Sequence, residues 1–373
     1  MKILMVSMPT LHFFRWTNQL QNSGHEVYWF DISGMSIKVD RLAWVNQKID
    51  WKLKYHYPGR IFMKNRFPII YKNIQKFNER ETATVFEKYL NEIKPDIVHS
   101  FALYVSCTPI FDVMKKYQHQ KWIYSSWGSD LFYFQNKSKY LEDIKKVLPR
   151  INYLFTDCKR DLEIAKKYGF EGRFLGVFPG GGGFDLNEIE RYKIPFEQRK
   201  IILVKGFQGR SGRAINILRA IEKLKIELSN FEVVIFGADI ELSDYFYASD
   251  LSVWKNITIF RKISHSEVLE LMGKSLIYIG NSNSDGIPNT LLEAICLGCF
   301  PIQSNPGGAT AEVIQHQKNG LLIEDCENSE EIKNLILKSF SLLNNSKIDA
   351  SEYDFEHIKK IVNQKYNLVD DTK

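Results

Sequence analysis

Apolar residues along this chain fall into short unbroken runs separated by segments of helical period. KILMVS (2–7) leads through a loop from Pro9 to Phe14 into a helix expected at 15–23, then Gly24 and a second run, HEVYWFDI (25–32). Runs this short and continuous read as strands buried on both faces, and strand, helix, glycine, strand is a βαβ unit. The alternation resumes with strands expected at 96–101, 121–126, 152–156 and 173–178, and helices at 79–93, 107–117, 138–148 and 158–168. PGGGG (179–183) interrupts it. A second series follows, with strands at 199–206, 231–237, 256–261, 275–281, 300–304 and 320–324 and helices at 213–228, 265–272, 289–297, 309–316, 329–344 and 354–366. The pattern predicts an α/β protein of two doubly wound domains with a boundary near 190. The expected domains are 1–190 and 191–350, with 351–373 a closing helix that packs back on the first.

The length of 373 residues suits two domains better than one. No apolar run reaches the eighteen or so residues needed to span a bilayer. MKILMVSMPTLHFF lacks a small-residue cleavage site and reads as a buried first strand rather than a secretion signal, so a cytoplasmic location is expected. The five cysteines are then expected to be reduced. Cys296 and Cys299 form a C-x-x-C without a second Cys or His pair at zinc spacing, and their apolar surroundings favour a structural role.

The net charge of +6 is uneven. Residues 1–190 hold 28 Lys and Arg against 20 Asp and Glu, and residues 38–80 alone hold 11 against 3. In that segment Trp44, Trp51, Tyr55, Tyr57, Phe62, Phe67 and Tyr71 interleave with the cations. The mixture suits a peripheral contact with an anionic membrane or an acceptor surface. A helical insertion with a solvated basic face over core aromatics would look the same, and nucleic-acid binding by stacking is a weaker alternative.

The densest candidate chemistry lies at 283–314, NSDGIPNTLLEAICLGCFPIQSNPGGATAEVI. Pro288 suits the first turn of a helix, and Asp285 stands on the turn before it. Gly286 permits a ligand to approach the backbone, and Ile287, Asn289 and Thr290 complete the turn. The helix N-terminus offers free N–H groups and a positive dipole end, a phosphate site. Glu293 lies about one turn further on. Upstream, KGFQGRSGR places Lys205, Arg210 and Arg213 beside Gly206 between a strand and a helix, the composition a diphosphate needs. Neither a Walker A nor a G-x-G-x-x-G pattern is present. In the first domain His99, Ser126, Trp127 and Asp130 are expected to face the crevice at the strands' C-terminal ends, where ligands bind in such sheets.

Taken in order, these motifs resemble the family 4 retaining glycosyltransferases of the GT-B architecture (glycosyl transferases group 1). The likeness is densest at 275–324: Asp285, Gly286, Pro288 and Glu293 match the family's acid, Gly-x-Pro turn and Glu eight positions on, and Gly307, Gly308 and Glu312 match its later Gly-Gly…Glu. GHEV (24–27), PDIVH (95–99), the WGSD loop, PGGGGFD and the closing helix extend it over nearly the whole chain. The resemblance implies two Rossmann-like domains facing a central cleft and retaining, metal-independent sugar transfer. The donor would be a nucleotide diphosphate sugar and the acceptor a saccharide or lipid-linked saccharide, in polysaccharide or glycoconjugate biosynthesis. No cofactor is implied. Glu293 would bind the ribose, Asp285 the donor sugar, and Lys205 with Arg210 or Arg213 the diphosphate, aided by the amides of 286–289. His99, Trp127 and Asp130 are the acceptor-side candidates. The chain departs from the family in three places. Asp285 stands where Glu is usual, the Arg and Lys pair is out of its usual frame, and Trp127 replaces a frequent His. A nucleotide-sugar epimerase or phosphorylase of the same fold, or a non-catalytic nucleotide-sugar-binding subunit, would share the donor features.

Overall fold

Every apolar run named above is a parallel strand in a computed structural model, which describes residues 1–343 and 348–370. The first sheet consists of β1 (Lys2–Ser7), β2 (Glu26–Asp31), β3 (Asn46–Lys48), β4 (Ile97–Phe101), β5 (Lys121–Ser125), β6 (Tyr153–Thr156) and β7 (Arg173–Val177). The second consists of β8 (Ile201–Lys205), β9 (Glu232–Phe236), β10 (Ile257–Phe260), β11 (Ser275–Gly280), β12 (Phe300–Ser304) and β13 (Leu321–Ile323). Their orders are β3-β2-β1-β4-β5-β6-β7 and β10-β9-β8-β11-β12-β13. Both are doubly wound sheets, because the chain adds strands to one side of the first-formed strand and then returns to the other. Register is fixed by apolar pairs such as Val6 opposite Phe30 and Val204 opposite Ile279, buried as strands covered on both faces must be.

The chain divides into two compact units. The first holds residues 1–156 and 162–182 and the closing helix from Lys359 onward; the second holds 157–161 and 183–358. The passage from one to the other thus lies inside the glycine run, earlier than 190. The closing helix, Phe355–Asp370, is fixed to the first unit by buried polar contacts. The buried Tyr366 hydroxyl accepts from Trp16 Nε1 at 3.3 Å and meets His99 Nδ1 at 2.6 Å. Asn363 Nδ2 donates to Gln19 O at 2.9 Å, and Lys121 Nζ to Val369 O at 2.6 Å.

Several local expectations are corrected. The first helix is Leu11–Asn18 rather than 15–23, because Thr10 caps it by accepting from Phe13 N. The 107–117 helix is broken into a π-helical turn at Leu103–Cys107, a tight turn at Thr108–Ile110 and a helix at Phe111–Lys116. A helix at Ile240–Ala248, capped by Asp239, was not expected. Nor was β3, three polar residues beside β2 in the basic segment. The expected 309–316 helix is reduced to one tight turn at Thr310–Glu312, after Gly307 and Gly308 at φ of 64° and 83°. The expected 329–344 helix ends at Ser339, and residue 344 itself lies outside the described residues.

His99, in the middle of β4, is fully buried, and burial holds its imidazole well below the usual value of about 6.5. Nε2 meets Ser125 Oγ at 2.8 Å. The unfolded chain binds a proton at this residue below about pH 6.5 and the folded chain does not, so stability is lost as the pH falls through that value. Thermal denaturation from pH 7.5 to 5.5 should show a loss approaching about 1.4 kcal/mol per pH unit from this residue, absent in His99→Gln. An identical pH profile in the two proteins would contradict the assignment.

Candidate functional site

In the second sheet the winding reverses between the neighbours β8 and β11, and ligands of such sheets bind outside the C-terminal ends of the strands at this point. Lys205 is the last residue of β8, and Ser282 to Asp285 follow β11. The two loops are stitched together by Asn283 N donating to Ser211 O at 2.9 Å and Arg213 N donating to Asn281 O at 3.0 Å. Asn281 Nδ2 returns a bond to Arg213 O at 3.1 Å. Between them lies a cavity of about 80 Å³ whose walls include Lys205, Ser211, Asn281, Ser282, Asp285 and Gln303. A cation and a carboxylate predicted to act together therefore line one small polar space.

The helix after Asp285 is Asn289–Cys296, with Pro288 as its cap residue at φ −64°, ψ 130° rather than inside its first turn. Pro288 itself makes no side-chain cap bond, and the helix's positive dipole end lies next to the turn that carries Asp285. Leu291, Leu292, Ala294 and Ile295 bury against the sheet. Glu293 is buried with them, at 4% exposure, and Oε1 meets His265 Nε2 at 2.7 Å. A carboxylate at that depth needs a partner, and His265 supplies one from the start of the helix His265–Lys274. Tyr278 Oη donates to Thr290 Oγ1 at 3.2 Å; its phenol is pushed upward mainly by burial, with the charges of Asp285 and Glu293 adding to it. Both acids thus act on the same buried ring.

The backbone at Gly286 is tight: a Cβ there would lie 2.3 Å from Asp157 Oδ1, so a larger residue would have to displace that carboxylate. Residues 157–161 belong to this second unit and clasp its loops. Arg160 Nη1 donates to Asp285 O at 2.8 Å and Pro306 O at 2.6 Å, while Nη2 bonds Asp161 at 2.9 Å. Glu312 accepts from the backbone N–H of Lys159 at 2.8 Å and of Arg160 at 3.3 Å. Among the described residues Asp157, Cys158 and Asp161 bring ligand-type atoms within 4.8 Å of one another, and the Arg160 guanidinium sits against this group.

Other predicted residues fall elsewhere. Gly206 is buried behind the cavity, its N–H donating to Phe236 O at 2.7 Å. Arg213 turns to Glu327, which also accepts from Asn216 Nδ2 at 2.8 Å, and Arg210 is on the exposed part of the loop. In the first unit Asp130 is buried and accepts from Leu103 N at 2.8 Å and from the Tyr124 hydroxyl. Trp127 is half-buried with its ring 5.2 Å from that of Phe101, and Ser126 and His99 are buried. Cys296 and Cys299 are buried thiols pushed up to about 12 by burial, and Cys299 Sγ donates to Met272 O at 3.1 Å. Sequence reasoning missed Asp157, Arg160 and His265. Only His265 carried a local signal, since Ser264 and Glu267 form a capping box that sets it at the first helical position.

A family model described as glycosyl transferases group 1 matches residues 187–351, and one described as glycosyl transferase 4-like matches residues 2–158. No curated protein sequence matches significantly. Among solved structures the chain is similar to sucrose-phosphate synthase from Thermosynechococcus elongatus, with 13% identity and a TM-score of 0.72 over all of both chains. It is also similar to HepE of Anabaena in complex with UDP-glucose, with 12% identity and a TM-score of 0.69 over all of both chains. The lipopolysaccharide outer core galactosyltransferase WaaB gives 16% identity and a TM-score of 0.66 over 99% of each chain. Such identities speak for the fold.

Proposed function

Since the chain belongs to the group 1 glycosyl transferases and has the GT-B fold, we propose that it moves a hexosyl group from a nucleotide diphosphate sugar to a saccharide or lipid-linked saccharide, with retention and without a metal. The observation that carries this is the cavity that Lys205 and Asp285 share, beside the start of the helix at Asn289. In this reading the diphosphate lies against Lys205 and the amides of 286–289, and the ribose against Glu293. As the bond from the anomeric carbon to the diphosphate oxygen breaks, negative charge grows where Lys205 and the helix end are already aimed, the arrangement from which catalysis gains most. Asp285 faces the positive charge developing on the sugar ring. A bond to the acceptor oxygen forms on the same face as its O–H bond breaks, the proton leaving on the departing diphosphate. Two cationic elements supply the charge that a metal ion would otherwise provide. HepE structures that hold UDP and UDP-glucose make a uridine donor the first to try. The setting is polysaccharide or glycoconjugate biosynthesis at the cytoplasmic face of a membrane, where lipid-linked acceptors are displayed.

His265 positions Glu293 rather than touching the sugar. His265→Ala should weaken donor binding about fivefold, the size of one lost hydrogen bond, raising KM with kcat nearly unchanged. Rescue by His265→Gln would separate hydrogen bonding from packing, and an equal fall in kcat would contradict the positioning role. The proposal as a whole is tested by incubating the protein with UDP-sugars and saccharide acceptors and reading the anomeric configuration of the product by NMR. A retained linkage is expected. An epimerised sugar formed without acceptor, or binding without any turnover, would overturn it.

A further inference from the structure

The segment between the first unit's β3 and β4 carries two helices whose polarity runs opposite to that of a water-facing helix. In Pro68–Asn78 the buried side chains are Gln75 and Asn78. Asn78 exchanges two bonds of 2.9 Å with the backbone of Tyr55, and Gln75 Nε2 donates to Tyr57 Oη at 3.0 Å. Ile69 and Phe77, by contrast, are 77% and 80% exposed. The preceding helix, Arg60–Arg66, has no buried residue, and its Ile61 and Phe62 are 70% and 68% exposed. A helix serving only a soluble fold turns such residues inward, and monomers rarely leave a contiguous patch of this kind uncovered. Neither helix is long enough to cross a bilayer, and no described helix of the chain is long and apolar enough to do so.

Charge identifies what covers the patch. Between residues 54 and 78 there are six Lys and Arg and no Asp or Glu. Lys54 is exposed and donates to Phe77 O at 2.7 Å, and Lys64, Lys72 and Lys76 are exposed near the apolar residues. A second copy of this chain meeting the same patch would set cations against cations. A surface that is apolar below and anionic above satisfies both features at once.

We propose that the helices Arg60–Arg66 and Pro68–Asn78 seat this protein on an anionic lipid bilayer, with Ile61, Phe62, Ile69 and Phe77 entering the headgroup boundary while the surrounding lysines meet lipid phosphates. The inference deepens the reading of a lipid-linked acceptor and rests on it for its purpose, while the contact itself needs no sugar chemistry. The test is sedimentation of the full chain with vesicles of phosphatidylcholine alone or mixed with phosphatidylglycerol, at low and high salt. The protein should pellet with the mixed vesicles about tenfold more than with phosphatidylcholine. Ile69→Ser/Phe77→Ser and Lys64→Glu/Lys72→Glu/Lys76→Glu should each lower binding about tenfold or more, with melting temperatures unchanged because the side chains are exposed. Equal binding by all three proteins would overturn the proposal, as would no vesicle binding by the parent chain. So would full binding by the serine variant, which would indicate charge adsorption without insertion. A dimer in solution that the serine variant abolishes, without vesicle binding, would assign the patch to self-association and overturn the proposal. A thermal shift with UDP-sugars on the same samples separates the two readings: if it persists while vesicle binding fails, only the hairpin's role falls.

Discussion

Lys205→Met should lower turnover about 10²–10³-fold, the range found when one preorganised donor to a developing anion is removed. The lysine ends β8 and its side chain lines the cavity that Asp285 also lines. Methionine keeps the length and the apolar stem, so the fold should persist and the donor should still bind through Glu293 and the helix amides. The loss should therefore fall on kcat more than on KM. Arg213→Met is the matched control. Its guanidinium is bonded to Glu327, away from the cavity, and this variant should lose some stability but little turnover. If the two effects were reversed, the diphosphate would lie against the arginine and the geometry assigned to Lys205 would be wrong.

Glu293→Gln should weaken donor affinity about tenfold to a hundredfold in calorimetric titration, the equivalent of losing charge-assisted hydrogen bonds worth about 1.5–3 kcal/mol. Glutamine preserves shape in a tightly packed helix where Leu292 and Ala294 are buried on either side. Its amide can still meet His265, which keeps the protein folded and confines the change to the ligand. Full donor affinity in this variant would remove Glu293 from the ribose and leave it a buried structural pair with His265.

Much of this was legible in the sequence because burial dictates it. Strands covered on both faces must be continuous apolar runs, and all twelve that the pattern predicted exist. The candidate residues Lys205, Asp285 and Glu293 sit at a strand end, in the turn before a helix and within that helix, places that local pattern locates. Arg160 and Asp157 could not be anticipated. Their importance comes from contacts with residues 285, 286 and 306, more than a hundred positions away in the chain, and nothing in CKRD signals it. β3 escaped because three polar residues carry no period. The segment 60–78 was ambiguous in another way. Its aromatics read equally as core or as a surface for a partner, and only their exposure shows that Phe62 and Phe67 are not core. His99 was expected to face a candidate crevice, yet burial and its bond to Tyr366 in the closing helix tie it to the first unit's scaffold.

The claim on which the rest depends is that the second unit binds a nucleotide diphosphate sugar. Thermal-shift measurements against UDP-, GDP-, ADP- and CMP-sugars test it directly, since a ligand of the native state raises the melting temperature. One of the nucleotide diphosphate sugars, UDP-linked first among them, should raise the melting temperature of the parent protein and produce a clearly smaller shift in Glu293→Gln. No shift with any of them, or equal shifts in the two proteins, would contradict the account.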